Sequence, residues 1–459
     1  QNTMRILLVI LFFASQLVSY ANHLLGGELT YTYVSDNAYK INVTIYRDCN
    51  DCKLGNDGGG TSTESCSNIK EAYIRTISSS CQNRNVGSIS LTKTGFKNIT
   101  QICDLSASRC GSVGTYPYGM EAHHYEGLVD FDDYKSYTGC GFHIYVVDRE
   151  RTNSFTTIAQ NEASTENYDF YNFLYINPWE ENISSPTFKE EPKFIFNANQ
   201  PVYIGDNVTE ISSDSIVYKW GDVLSAHNSP LSYTSNYSKN NFLSTYCPSG
   251  NNCSPNPSSY PPHGLYLNSY TGDMVFTPTT SNQISTRVMH VEHWRKTTSS
   301  SYKASEIRRD VQVIITSANG NNNPSILTEE TYNLCVGQPF ETDITATDIN
   351  PNTSLSSGDS VFFDVDHDIE NLSFSTVNLT SAPYAKLHLE YTPSSNDIGI
   401  HKVQISATDN HCPAYGKSTK TIFIKVHPQP ITSIIINEKF CGNNEIVLST
   451  DRNSTYSLQ

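Results

Sequence analysis

In the segment YKINVTIY, Tyr39, Ile41, Val43 and Ile45 fall on one side of an extended chain, and Lys40, Asn42, Thr44 and Tyr46 on the other. Successive side chains of a strand point to opposite faces, so this period of two predicts a half-buried antiparallel strand. VQVII (Val311 to Ile315) and TIFIKV (Thr421 to Val426) follow the same pattern. No long stretch shows the apolar spacing of an amphipathic helix. Clusters of Gly, Pro, Asn and Asp separate the strand-like runs and supply turns. The pattern predicts an all-β protein built of tandem Ig-like or cadherin-like antiparallel β-sandwiches.

Three stretches interrupt the alternation: the Pro- and acid-rich NPWEENISSPTFKEEP (177–192), the Asn/Gly hinge SANGNNNPS (317–325) and the Pro-rich HPQPI (427–431). They mark out a β-sandwich domain over 22–180, a second sandwich over 185–317, a third, cadherin-like sandwich over 323–427, and the truncated start of a fourth module over 431–459. A chain of 459 residues accommodates about three domains of ordinary size. The second and third modules also echo each other. VFTPTTSN is followed by RVMHVEHW and RRDVQVIIT; EYTPSSNDIG is followed by HKVQISATDN and TKTIFIKV. Duplication of one sandwich module accounts for this order. Phe276 and Tyr391, each just before Thr-Pro, are expected in the cores, with the proline ending the strand.

The N-terminus changes the picture. Arg5 precedes an apolar run from Ile6 to about Ala14, and Ser19-Tyr20-Ala21 has the small residues of a cleavage site. Residues 1–21 are therefore expected to be a secretory signal peptide. The run is shorter than the ~20 apolar residues of a bilayer span, so none is expected in the mature chain. The residues before Met4 read as upstream translation, so the sequence is expected to be a fragment. Secretion makes disulfides the expected use of the 12 cysteines. Expected pairs are Cys247 with Cys253, Cys103 with Cys110, and Cys335 with Cys412. The last would close a long loop and stabilise by about 4–5 kcal/mol in the chain-entropy model. The lone Cys49-x-x-Cys52 does not make a zinc site. A formal net charge of −16 argues against a nucleic-acid partner.

Calcium is the cofactor best supported by residue type. ATDIN contains Asp348 and Asn350, ATDN contains Asp409 and Asn410, and GDSVFFDVDHD adds Asp359, Asp364, Asp366 and Asp368. Calcium requires several hard oxygen ligands on loops that converge, and extracellular modules bind it at roughly 10⁻⁴–10⁻³ M. The competing use of these side chains is turn capping. Both Ala-Thr-Asp tripeptides resemble the cadherin-like pattern of calcium-binding aspartates at strand ends. In EAHHYE a strand would put His124 and Glu126 on one face and Glu121 and His123 on the other, which splits any transition-metal set. HVEHW is likewise not the helical HExxH of a zinc protease. Catalytic signatures such as GxSxG, the phosphate-binding P-loop and GxGxxG are absent from the sequence. Tyr171, Tyr175 and Trp179 in YDFYNFLYINPW are candidates for stacking on a ligand, with burial in a strand as the alternative. VEHWRK and IRRDVQV are expected to form a hairpin in which Glu292 pairs with Arg308 or Arg309.

The chain resembles the N-terminal region of large secreted surface proteins of Bacteroidetes, those of the gliding motility-associated C-terminal-domain type. The matching stretches are ANHLLGGELTYTYVSDNAYKINVTIYRDC (21–49), TYPYGMEAHHYEGLVDF (115–131), SSPTFKEEP (184–192), DSIVYKW (214–220), VEHWRK with IRRDVQVII (291–315), ATDNHCP (407–413) and FCGNNEIVLST (440–450). The resemblance implies export by type IX secretion through a sorting domain at the far end, and a setting in gliding or surface adhesion. The expected function is a non-catalytic secreted cell-surface protein, a multi-module adhesin or stalk with a glycan or protein ligand. The alternative is a carbohydrate-binding accessory region of a larger secreted enzyme.

Overall fold

The computed structural model describes residues 24–49, 69–78, 81–103, 106–108, 110, 116–151, 154–159, 168–179, 182–209, 214–250, 253–296, 300–317, 320–349, 359–378, 384–429, 432–437 and 445–450. The proposed signal peptide, Cys52, Cys66, Asn350 and Cys441 lie outside the described residues. The chain forms two compact units, one of residues 1–321 with 411–415, the other of 322–410 with 416–459. No helix among the described residues is long and apolar enough to cross a membrane.

The first unit opens with β1 (Leu24–Ser35), β2 (Ala38–Asp48), β3 (Glu71–Ile77), β4 (Asn85–Ser90), β5 (Thr92–Asn98), β6 (Met120–Asp130), β7 (Gly141–Arg151) and β8 (Tyr168–Ile176). Two runs of paired strands, β1-β2-β6-β5 and β8-β7-β3-β4, enclose one apolar core. The predicted alternation of β2 holds on the inward face, where Tyr39, Ile41, Val43 and Ile45 are all buried. Tyr46 was expected on the open face, yet it too is buried, because Phe194 packs edge-on against it at 5.5 Å.

The same unit continues with β9 (Ile195–Asn197), β10 (Val202–Gly205), β11 (Ser215–Trp220), the small hairpin β12 (Leu224–Ala226) and β13 (Ser229–Pro230), then β14 (Tyr266–Leu267), β15 (Asp273–Phe276), β16 (Gln283–Lys296) and β17 (Ser301–Thr316). These make a second sandwich with sheets β11-β16-β17-β9 and β10-β15-β14. The expected boundary near residues 180–185 does not separate two units. β17 is long enough to pair antiparallel with β1 at Gly26–Glu28 and with β8 at Tyr175 and Ile176, so the two sandwiches share one hydrogen-bonded network. Gly26 makes this approach possible: its φ is 139°, and a Cβ there would run into the Asp310 carbonyl of β17.

The second unit holds β18 (Ser325–Leu327), β19 (Thr331–Cys335), β20 (Phe340–Thr347), β21 (Val361–His367), β22 (Ser373–Asn378), β23 (Tyr384–Tyr391), β24 (Gly399–Asp409) and β25 (Lys417–His427). Its sheets are β18-β20-β23-β22 and β19-β25-β24-β21, packed around Ile344, Leu387, Leu389, Val403, Ile405, Ile422 and Ile424. A further hairpin, β26 (Thr432–Asn437) with β27 (Glu445–Thr450), follows. The molecule is thus all-β, with Ig-like sandwiches in tandem.

The echo in the sequence has a counterpart in topology. The order β11-β16-β17-β9 matches β21-β24-β25-β19, and β10-β15-β14 matches β20-β23-β22. In both sandwiches the first of these strands in sequence runs parallel to the last, β9 to β17 and β19 to β25. Phe276 and Tyr391 are buried at the ends of equivalent strands, β15 and β23.

Of the expected disulfides Cys247–Cys253 forms, and the other two pairings differ. Cys49 is bonded to Cys110, Cys81 to Cys140, Cys103 to Cys412 and Cys247 to Cys253. Cys103 and Cys110 are close in sequence but not partners. The β2–β6 register places Cys49 beside Gly119, and only a glycine there leaves room for the Cys49–Cys110 sulfurs. Cys335 and Cys412 are not partners either. Cys335 lies opposite His427, at the far end of β25, whereas Cys412 precedes the start of that strand at Lys417. At about 3.3 Å per residue, 11 residues separate the two ends by far more than a disulfide spans. Cys335 carries no disulfide among the described residues. These bonds require folding in an oxidising compartment, which argues for a secreted or extracellular protein.

Candidate functional site

Period-two geometry builds an acidic site at one end of the second unit. Ala346 and Ala407 both face inward and are fully buried. Two positions on, the next inward residues are Asp348, just past β20, and Asp409, the last residue of β24. Both carboxylates are therefore driven into the space between the sheets, at 0 % and 3 % exposure. The small side chains of Ala346, Ala385 and Ala407 pack beneath them. Asp359 enters just ahead of β21, whose Val361 pairs with Asp409. Oxygens of Asp348, Asp359 and Asp409 all lie within 4.8 Å of one another.

The three carboxylates are not equally supported. Asp409 Oδ2 accepts the Gly416 N–H at 2.9 Å. Gly416 has no room for a Cβ, which would meet Asp409 and the backbone of Asn322 and Asn323. Both oxygens of Asp348 are buried with no hydrogen-bond donor. Burial, reinforced by the charges of Asp409 and Asp359, pushes its carboxyl up to about 8. A buried carboxylate without donors is costly to ionise unless a cation joins it.

An all-oxygen donor set of three carboxylates suits calcium. Asp348, Asp359 and Asp409 would hold the ion, whose charge would neutralise the repulsion among them. Of the other residues expected to take part, Asn410 is committed elsewhere. Its Oδ1 accepts the Ser360 N–H at 3.0 Å and so fixes the start of β21. Asp364 and Asp366 lie along β21 and Asp368 beyond it, where Asp368 faces His401. Asp359 therefore takes the place expected for Asn410.

The remaining candidates resolve differently. Tyr171 is buried and stacks on Tyr145 at 4.9 Å, so it offers no face to a ligand. Trp179 caps the first core beside Phe131 and Phe142 and donates its indole N–H to the Cys140 carbonyl at 2.9 Å. Tyr175 is half-buried with the Lys303 ammonium 4.9 Å from its ring centroid. Packing, not ligand stacking, explains the aromatic run. The β16–β17 hairpin forms, but its register pairs Glu292 with Glu306 in place of Arg308 or Arg309. Glu292 accepts from Lys219 at 2.7 Å and from the Trp294 indole at 2.9 Å.

Two internal networks carried no clear signal in the sequence. Asp206 accepts from Arg287 and Arg309, and Arg309 also donates to Glu28. Arg151 donates to both oxygens of Asp310 at 2.9 and 2.6 Å. Separately, His293 lies between Ser305, 3.2 Å from Nδ1, and Asp214, 2.6 Å from Nε2. This has the composition of a nucleophilic triad, but Ser305 and His293 are fully buried inside the sheet.

No family model and no curated protein sequence matches the chain. Among solved structures, it is similar to an endo-fucoidan hydrolase of glycoside hydrolase family 107 (TM-score 0.17, 11% identity, 79% of this chain and 42% of that one). It is also similar to the protocadherin gamma B2 extracellular cadherin domains 1–5 (TM-score 0.19, 13% identity, 86% and 66%) and to an I-band fragment of titin (TM-score 0.16, 10% identity, 88% and 99%). The chain spans about two fifths of the hydrolase's length. At such TM-scores these likenesses carry no argument, and the reading of function stands on the residues above.

Proposed function

We propose that the chain is a non-catalytic, secreted cell-surface protein whose sandwich modules serve adhesion, and that calcium braces the third module. The observation that carries this reading is the Asp348 carboxylate, buried without a donor beside Asp359 and Asp409. Such an arrangement is unfavourable for folding alone and becomes favourable with a bound cation. The Ser305–His293–Asp214 chain does not argue for hydrolysis, because its burial denies a substrate access to the serine. The signal peptide rests on the charged, apolar and small residues of positions 5–21, and the gliding-motility setting and type IX export on the family resemblance of the sequence.

Calcium titration of the full chain tests the reading. With a dissociation constant of about 10⁻⁴–10⁻³ M, 10 mM calcium adds about 1.4–2.7 kcal/mol to the stability of the third module. For a domain of this size, that raises its melting temperature by roughly 6–20 °C. Asp348→Asn is expected to abolish the response and, in the presence of a chelator, to leave the module at least as stable as the parent. Absence of any calcium-dependent shift in the parent chain would overturn the proposal.

A further inference from the structure

The second sandwich carries a cleft of about 970 Å³ beside the outer edge of β11, where the Tyr218 N–H donates to the Ser269 carbonyl at 2.9 Å. One wall is β11 itself; others come from the segments around residues 236–245, 253–255 and 264–267. Trp220, Tyr237 and Tyr266 line the cleft and are each half-buried. Trp220 is held edge-on against Phe242 at 5.3 Å, and its indole N–H donates to no acceptor among the described residues. Tyr237 is fixed by hydrogen bonds of its hydroxyl with Ser244 at 2.8 Å and Gln283 at 2.9 Å. Two asparagines, Asn236 and Asn240, line the same cleft and are exposed, and their side-chain amides have no partner among the described residues.

The chemistry of this lining is selective. Its only charged residue is Lys219, already paired with Glu292 at 2.7 Å. Among the described residues no carboxylate lines it, so its described walls hold no acid and base pair of a glycosidase. What remains is a set of positioned aromatic rings beside unspent amide donors and acceptors. Aromatic rings supply large apolar faces at fixed orientation, and free amides recognise hydroxyl groups. The volume lies in the range of small-ligand sites.

We propose that this cleft binds a neutral oligosaccharide without cleaving it, the pyranose faces lying on Trp220 and its neighbouring tyrosines and the hydroxyls bonding to Asn236 and Asn240. The absence of free cationic side chains from the walls, with a net charge of −16 for the chain, directs the site away from sulfated or uronic-acid glycans. This deepens the adhesive reading by naming the ligand class and rests on it only for the biological setting, since the cleft and the carboxylate site share no residue.

The test is binding of the full chain to immobilised neutral hexo-oligosaccharides of gluco, manno and galacto configuration, with sulfated oligosaccharides alongside. Neutral glycans are expected to bind, Trp220→Ala to weaken binding about tenfold or more, and Asn240→Ala to weaken it severalfold. Asn240 is exposed and unpartnered, so its replacement keeps the test valid should loss of Trp220 disturb packing. The calcium-induced melting shift is expected to be the same in both variants and the parent. No binding to neutral glycans, preference for sulfated ones, or binding unchanged in both variants would each overturn the proposal. None of those outcomes would alter the calcium response, which tests the other reading.

Discussion

Asp206→Ala is expected to destabilise the first unit by about 3–5 kcal/mol, the cost of removing one partner from a buried ion network. Asp206 follows β10, where both Arg287 of β16 and Arg309 of β17 reach it, and all three side chains are nearly inaccessible. Burial disfavours the charge of Asp206, but the guanidinium groups of Arg287 and Arg309 outweigh that and hold its carboxyl below the usual range. In the variant, Arg309 keeps Glu28, which also accepts from the Tyr46 hydroxyl at 2.7 Å. Among the described residues Arg287 keeps a contact with the Met274 sulfur at 3.6 Å, and its Nε already lacks a partner there. The cost therefore arises mainly at Arg287. Replacing both residues, Asp206→Leu with Arg287→Met, is expected to recover much of the loss, because a buried pair exchanged for apolar groups is often neutral. Urea denaturation measures both effects. A loss under about 1 kcal/mol for Asp206→Ala would show that water reaches the network.

The second large effect concerns pH. His143 of β7 stacks on Phe173 at 4.1 Å, and its buried Nδ1 has no partner. Burial lowers its pKa to about 3; Glu306 opposes this, while His227, Lys303 and Arg308 reinforce it. The unfolded chain takes up the proton near pH 6.5 and the folded chain does not. Stability present above pH 6.5 is therefore lost as pH falls towards about 3, at up to about 1.4 kcal/mol per unit. Many carboxylates titrate over the same interval, so the informative quantity is the difference between parent and His143→Phe. The phenylalanine ring retains the stack on Phe173 and cannot be protonated. The parent is expected to lose several kcal/mol more than the variant between pH 6.5 and 4. Parallel stability curves would show that His143 takes up its proton inside the fold.

These two sites depend on contacts that no local pattern in the sequence encodes. The Arg309–Glu28 bond joins residues 281 positions apart. An Arg-Arg-Asp run in a strand reads as a half-exposed surface pair, and nothing local announces that segments distant in sequence will bury both faces of β17. The carboxylate site was more legible. Ala-Thr-Asp fixed the inward direction of Asp348 and Asp409, because a small buried residue and the residue two positions later share a face. Which third residue joins them was not legible: Asp359 and Asn410 both lie near strand ends, and only the β21–β24 register commits Asn410 to the Ser360 backbone.

By itself the sequence determined the all-β class, the inward faces of β2, β17 and β25, the β16–β17 hairpin, and the duplicated order of strands around each Thr-Pro turn. These follow from period-two alternation and turn residues, which act over a few positions. Only the tertiary structure decided the partners of Cys49, Cys81 and Cys103, the fusion of the first two sandwiches through β17, the burial of Tyr46, Tyr171, Arg287 and Arg309, and the cleft beside β11. The physical reason is that every strand edge offers the same backbone donors and acceptors. Alternation therefore specifies which side of a strand is buried, while its neighbours are chosen by packing over the whole chain.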